Sequence, residues 1–124
     1  MKEDIIRICK KNKEKESCGI IFFSNKRYRI KECKNISKNP ENQFEISFLD
    51  HCECLKNGEI VGTYHSHVNR DENFSELDVK MSNEMMIPFI VYSLKTNKIN
   101  VYTPKKMTSK RIKNFSNKIK DYIV

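Results

Sequence analysis

The sequence predicts an α/β fold, a mixed β-sheet flanked by helices, built as a single domain over residues 1–124. Three observations predict it. Short apolar runs of strand length alternate with segments whose apolar residues recur at helical spacing, in the order α-β-β-α-β-α-β-β-α. Some neighbouring strand candidates are separated by a turn and others by a whole helix, so hairpins and crossovers must coexist in one sheet. No internal repeat, low-complexity linker or break in composition divides the chain, and 124 residues suffice for one core.

Residues 2 to 14 place Ile5, Ile6 and Cys9 on one helical face with lysines opposite. SCGIIFFS is a strand, and RYRIKECKNI a second one that pairs with it around Asn25. NPENQ is a turn signal. Residues 41 to 56 space Phe44, Phe48, Cys52 and Leu55 as the inner stripe of a helix, with Gly58 at its C-cap. EIVGTYHSH is a strand, and SELDVKMSNEMM a helix opened by Ser75 as N-cap. IPFIVYSL and INVYT are strands joined by the turn KTNK. Residues 108 to 123 close the chain with a helix whose Ile112, Phe115, Ile119 and Tyr122 share a face.

Composition excludes several classes of function. No run approaches the roughly 18 apolar residues of a membrane span, and the N-terminus lacks a secretory pattern, so a cytoplasmic protein is expected. Five cysteines in apolar or helical contexts point to reduced thiols. Among them Cys18 is expected as a buried core thiol and not a nucleophile. The net charge of +8 raises nucleic acid as a partner. But nineteen lysines to five arginines, spread along the chain beside thirteen asparagines, resemble a compositional bias more than a phosphate-reading surface. Nucleic acid is therefore not the expected partner.

The chemistry concentrates in HSHVNRDENFSELD, residues 65 to 78. His65 and His67 are two apart at a strand end, so both imidazoles emerge on one side while Ser66 faces the other. Two convergent neutral imidazoles suit Zn²⁺, which commonly takes a third oxygen or nitrogen ligand from elsewhere. Asp78 lies in the first turn of the next helix, and the loop VNRDENF is long enough to fold it back over the strand end. Three protein ligands plus water make an open, catalytic type of zinc site. Ser-x-x-Asp is also a common helix cap, and taken alone Ser75 and Asp78 read as structural. The conjunction with His-x-His is far rarer than either half, and favours the metal. His51, Cys52 and Cys54 form no rival cluster, because helical neighbours one to three apart do not share a centre; Cys52 is expected in the core and His51 in solvent. A zinc hydrolase also needs a general base, which spacing cannot locate.

The residues His65-Ser66-His67, seven more, then Ser75-Glu76-Leu77-Asp78 resemble the signature of the JAMM metallopeptidases, also called MPN or JAB domains. The family's upstream glutamate precedes a small pair that opens the first strand, and ESCGIIFF at 16 to 23 is similar. The resemblance covers nearly the whole chain. It implies an MPN/JAB-like fold with cytidine-deaminase-like layering, and a zinc-dependent peptidase or isopeptidase. It further implies that His65, His67 and Asp78 bind one zinc ion, Glu16 is the base, and Ser75 hydrogen-bonds the developing oxyanion or the attacking water. Among relatives the bond cut often joins a ubiquitin-like protein to a lysine, so a ubiquitin-like protein or its peptide tail is the implied substrate, lying along an exposed sheet edge.

The chain departs from the family pattern in two places. Val68 stands where many prokaryotic members have proline, and Glu14 where many have proline two residues before the glutamate, which makes Glu14 a competing base. A branch tied to DNA repair carries His-Asn-His-Pro-Ser-Gly, which is absent here. The alternatives are a JAB-type phage tail-assembly peptidase, whose relatives often carry a further cell-wall peptidase module not expected here, and a non-catalytic MPN-type binding module.

Overall fold

The computed structural model describes the backbone of residues 1–123 and the side chains of residues 1–121. Helix α1, Lys2–Lys10, buries Ile5, Ile8 and Cys9. It stops four residues short of the expected end, and Ile6 is only half buried. The Asn12 carboxamide oxygen accepts the backbone N–H groups of Glu14 and Lys15 at 2.9 and 3.0 Å, a local turn that competes with helix.

Strands β1 (Cys18–Ser24) and β2 (Arg27–Cys33) form the expected hairpin, with Ser24 opposite Arg27. Asn25 and Lys26 between them both have positive φ, 51° and 63°, as a two-residue type I′ turn requires. The second strand ends at Cys33, and does not reach Ile36.

Helix α2 covers Phe48–Asn57, not residues 41 to 56. Ser47 caps it, its Oγ accepting the Asp50 N–H at 3.2 Å, and residues 41 to 47 form an irregular strap instead. The expected inner stripe is therefore overturned. Phe44 is buried, but on the strap. Phe48 and Leu55, at 79% and 60% exposure, face solvent, and Cys54 is the buried thiol of this helix. Gly58 ends α2 with φ 177°, an extended conformation open to any residue. Its lack of a side chain matters for a different reason: a Cβ there would lie 2.1 Å from the Phe23 carbonyl oxygen.

Strand β3 is Glu59–His67 and helix α3 Glu76–Met85. Strands β4 (Phe89–Ser93) and β5 (Ile99–Tyr102) and helix α4 (Lys110–Ile123) complete the chain. Ile112, Phe115 and Ile119 of α4 are buried, and the expectation for Tyr122 lies outside the described side chains. The sheet order is β2-β1-β3-β4-β5, with β3 and β4 parallel and the other neighbours antiparallel. The sheet is thus mixed and flanked by helices.

The helices divide between its faces. Tyr64 belongs to one core cluster with Ile5 of α1 and Phe115 of α4, and Gly62 lies beneath the Phe115 ring on that same face. Thr63, His65 and His67 point the other way by strand alternation. On that second face Lys31 of β2 pairs with Asp50 and Glu53 of α2 at 3.9 and 3.3 Å, and Asp78 of α3 meets the histidines. At the C-terminal ends of β3 and β4 the sheet switches from antiparallel to parallel, the kind of crevice where α/β folds place ligands. Among the described residues no helix is long and apolar enough to cross a membrane.

Candidate metal centre

Both histidines sit fully buried at the end of β3, held between β1 and β4 in the middle of the sheet. Cys18 of β1 and Val91 of β4 flank His65, and Ser93 lies beside His67. The His67 Nδ1 lies 2.7 Å from the Asp71 carbonyl oxygen, which can only accept, so Nδ1 carries the proton and the Nε2 lone pair faces the site. His65 is oriented by packing instead. Its ring stacks on Phe44 at 4.4 Å and 20°, with Phe89 and Phe74 edge-on at 6.2 and 6.4 Å. Its Nδ1 is buried without a hydrogen-bond partner.

Asp78 arrives from α3, whose start is a reciprocal capping box. Ser75 Oγ accepts the Asp78 N–H at 3.1 Å, and Asp78 Oδ2 accepts the Ser75 N–H at 3.2 Å. The cap therefore aims the carboxylate. Oδ2 lies 3.3 Å from His65 Nε2 and 3.3 Å from His67 Nε2. That is long for a hydrogen bond to a charged group. It matches the edge of a tetrahedron around zinc, about 3.3 Å for ligand bonds near 2.0–2.1 Å. The three buried ligand atoms all lie within 4.8 Å of one another. Two nitrogens and one carboxylate oxygen thus form a possible metal site of the open, three-ligand kind. Burial alone would raise the Asp78 pKa, but the two imidazoles and the Ser75 N–H outweigh it and hold the carboxyl well below its ordinary range.

Glu16 lies just before β1, with 2% of its surface exposed. Several contacts hold its backbone. Its N–H donates to the Pro40 carbonyl at 2.7 Å, and Asn35 Nδ2 donates to its carbonyl at 3.0 Å. One residue on, the Ser17 N–H donates to Ser66 Oγ at 2.8 Å, and the Ser66 N–H returns to the Ser17 carbonyl at 2.9 Å. The serine between the two histidines thus ties the Glu16 segment to the histidine strand. On the side chain, Arg70 Nη2 donates to Oε2 at 2.8 Å and also to the Asn42 carbonyl at 3.0 Å. Burial raises the Glu16 pKa, with His65, His67 and Arg70 opposing it. Glu14, the competing base, is exposed on the turn after α1, away from this burial.

Residues Phe44, Arg70, Ser75, Leu77, Asp78 and Met81 line an open cleft of about 240 Å³ beside these groups. Arg70, Phe44 and Asn35 had no motif to announce them. Helical spacing places Phe44 on a helix, and Arg70 is one of seven loop residues between His67 and Ser75. Cys18 is fully buried and burial pushes its thiol up to about 12, so it supplies no thiolate near neutral pH. In α2, His51 is half buried rather than in solvent, its Nε2 enclosed without a partner, and Cys52 is half buried rather than in the core. Cys54 takes the buried position of this helix instead.

The family model described as prokaryotic homologs of the JAB domain matches residues 1–110. Tail tip assembly protein K of Escherichia phage N15 is 25% identical over 91 residues, which is 73% of this chain and 37% of that protein. The match thus spans only about a third of that relative. A protein of Desulfitobacterium hafniense known from a solution structure superposes with a TM-score of 0.61 at 14% identity, over 88% of this chain and 90% of that one. A second solution structure, of a protein from Salinibacter ruber, gives 0.52 at 12% identity, over 82% and 75%. At such identities the likeness is one of fold.

Proposed function

The chain belongs to the prokaryotic homologs of the JAB domain, and from that premise we propose that residues 1–124 act as one zinc-dependent metallopeptidase domain in the cytoplasm, hydrolysing a peptide or isopeptide bond. The observation that carries this reading is a single oxygen, Asp78 Oδ2, at 3.3 Å from both imidazole Nε2 atoms beside the buried Glu16.

His65, His67 and Asp78 would hold the ion. When bound, zinc supplies Lewis acidity toward a carbonyl and a water. Glu16 takes a proton from the attacking water and passes it to the leaving amine. Arg70 occupies Oε2 and leaves Oε1 for that exchange. Ser75 Oγ uses a lone pair on the Asp78 N–H, so its own O–H is free to donate to the developing oxyanion. Burial of both histidines and Glu16 keeps bulk water out and strengthens each of these interactions.

Two substrates fit this chemistry. A structural protein of a phage tail is favoured by the likeness to a tail tip assembly protein. A ubiquitin-like protein, deconjugated or processed at its tail, is supported by the motif resemblance. Mass spectrometry after incubating zinc-loaded protein with each candidate tests both. Cleavage by the wild type and none by Glu16→Gln is expected. Equal cleavage by both proteins would rule out the mechanism.

A further inference from the structure

Outside the metal centre, two neighbouring concavities lie on the opposite face of the sheet, between α1 and the β4–β5 hairpin. Two hollows of about 420 and about 620 Å³ share Tyr92 and Asn97 as lining residues and so form one groove. Its size is that of a ligand site and not of a packing defect. Tyr92 is itself buried, and its hydroxyl donates to the Asn97 side chain, which fixes the middle of the floor.

The lining is amphipathic. Half-buried Ile6, Val68, Leu94 and Ile99 supply apolar surface. Lys2, Lys10, Lys13 and Lys98, all exposed, stand along it. On α1 the order Lys2, Ile6, Lys10 follows helical spacing, so one stripe of the helix presents both kinds of group to the groove. Among the described residues none of these four lysines forms an ion pair. The one carboxylate in the lining, Glu72, is engaged by the Thr96 hydroxyl at 2.8 Å. The groove therefore carries an unbalanced positive charge over a mixed floor, in which aliphatic side chains alternate with Tyr92 and the asparagines 73, 97 and 100.

We infer that this groove docks an extended acidic segment of a partner protein, with carboxylates against the lysines and alternate apolar side chains on the floor. Charge complementarity selects the sign of the partner and the floor selects its class. Nucleic acid would need exposed stacking surfaces or arginine forks, whereas the one aromatic ring here, Tyr92, is buried with its hydroxyl tied to Asn97, and the cations are lysines. The groove reaches Val68, the residue after His67, so a partner seated here is tethered next to the metal centre from behind the sheet. The inference stands independently of the proposed hydrolysis, because docking needs no catalysis.

The test is fluorescence anisotropy with a labelled peptide alternating glutamate and leucine. Controls are its glutamine–leucine analogue and a labelled oligothymidylate. The expected result is saturable binding of the acidic peptide alone, weakened about tenfold or more in Lys10→Glu/Lys13→Glu and by added salt. Amide shifts at Val68, Tyr92 and Leu94 should accompany it. Both lysines are exposed, so the double variant keeps its fold. Absence of binding, equal binding of the glutamine analogue, or undiminished binding to the double variant would overturn the inference. Tighter binding of the oligothymidylate would assign the groove to nucleic acid and overturn it equally.

Discussion

Helices α2 and α3 begin with nearly the same four residues, Ser47-Phe48-Leu49-Asp50 and Ser75-Glu76-Leu77-Asp78. Both have ten residues, both cover the same face of the sheet, and in both the serine Oγ accepts the N–H of the aspartate. Their carboxylates nonetheless have different lives. Asp50 is half buried, with Lys31 at 3.9 Å and no imidazole beside it. Asp78 closes its cap reciprocally and is buried against two imidazoles. The motif is a helix start in both places. What makes one of them a candidate metal site is the strand end it faces, and that is decided by topology.

The comparison breaks most visibly at the aspartates. Asp78→Asn should bring peptidase activity down to background, while Asp50→Asn leaves it unchanged in the same cleavage assay. Glu16→Gln should keep the metal and lower kcat by about 10²–10⁴, the usual worth of a positioned general base. Two phenylalanines, one in the middle of the strap and one at the start of α2, extend the contrast. Phe44→Ala should cost about 3–5 kcal/mol of unfolding free energy in urea, because Phe44 is buried on His65. Phe48→Ala, on an exposed position of α2, should shift it by no more than about 0.5 kcal/mol.

The serines sharpen the contrast further. Ser47→Ala and Ser75→Ala should each cost about 1 kcal/mol as lost caps. Only Ser75→Ala should also slow turnover, by about 10²-fold if its hydroxyl serves the oxyanion. A slowing of the same size in Ser47→Ala would show that helix stability, and not chemistry, sets the rate.

The smallest effect is a matter of pH. Burial raises the Glu16 pKa in the folded protein above its unfolded value. The folded chain then binds that proton more tightly, so this group's contribution to stability is fully present in acid and is lost as pH rises through the folded pKa. In metal-free protein Glu16→Gln should therefore melt above the wild type at neutral pH, and the gap should close in acid. Asp78 runs the opposite way: its lowered pKa stabilises the fold above the ordinary carboxylate range, and that contribution is lost as pH falls below it.

Element types were legible in the sequence wherever local chemistry decided them. The β3 strand, the Asn25 hairpin and the Ser75 cap follow from alternation, turn residues and capping. The same reasoning failed between residues 41 and 56, where helical spacing of Phe44, Phe48, Cys52 and Leu55 suggested an inner stripe. The Ser47 cap starts the helix late, and His65 offers Phe44 a ring to stack on. The first competitor is a local Ser-x-x-Asp signal that the helical spacing overrode, and only the second lies beyond any local window. The ligand types were legible because His-x-His and Ser-x-x-Asp each fix a direction. Arg70 and Asn35 reach Glu16 across 54 and 19 residues of sequence, and pairings of that range leave no trace in a single chain.

The central claim is that the strand end, not the cap, turns one of two equivalent aspartates into a zinc ligand. Zinc content, measured by elemental analysis on wild type, Asp50→Asn and Asp78→Asn purified side by side, tests it most directly. One zinc per chain in the first two and none in the third is the predicted result. Equal zinc in all three proteins, or none in the wild type, would contradict it.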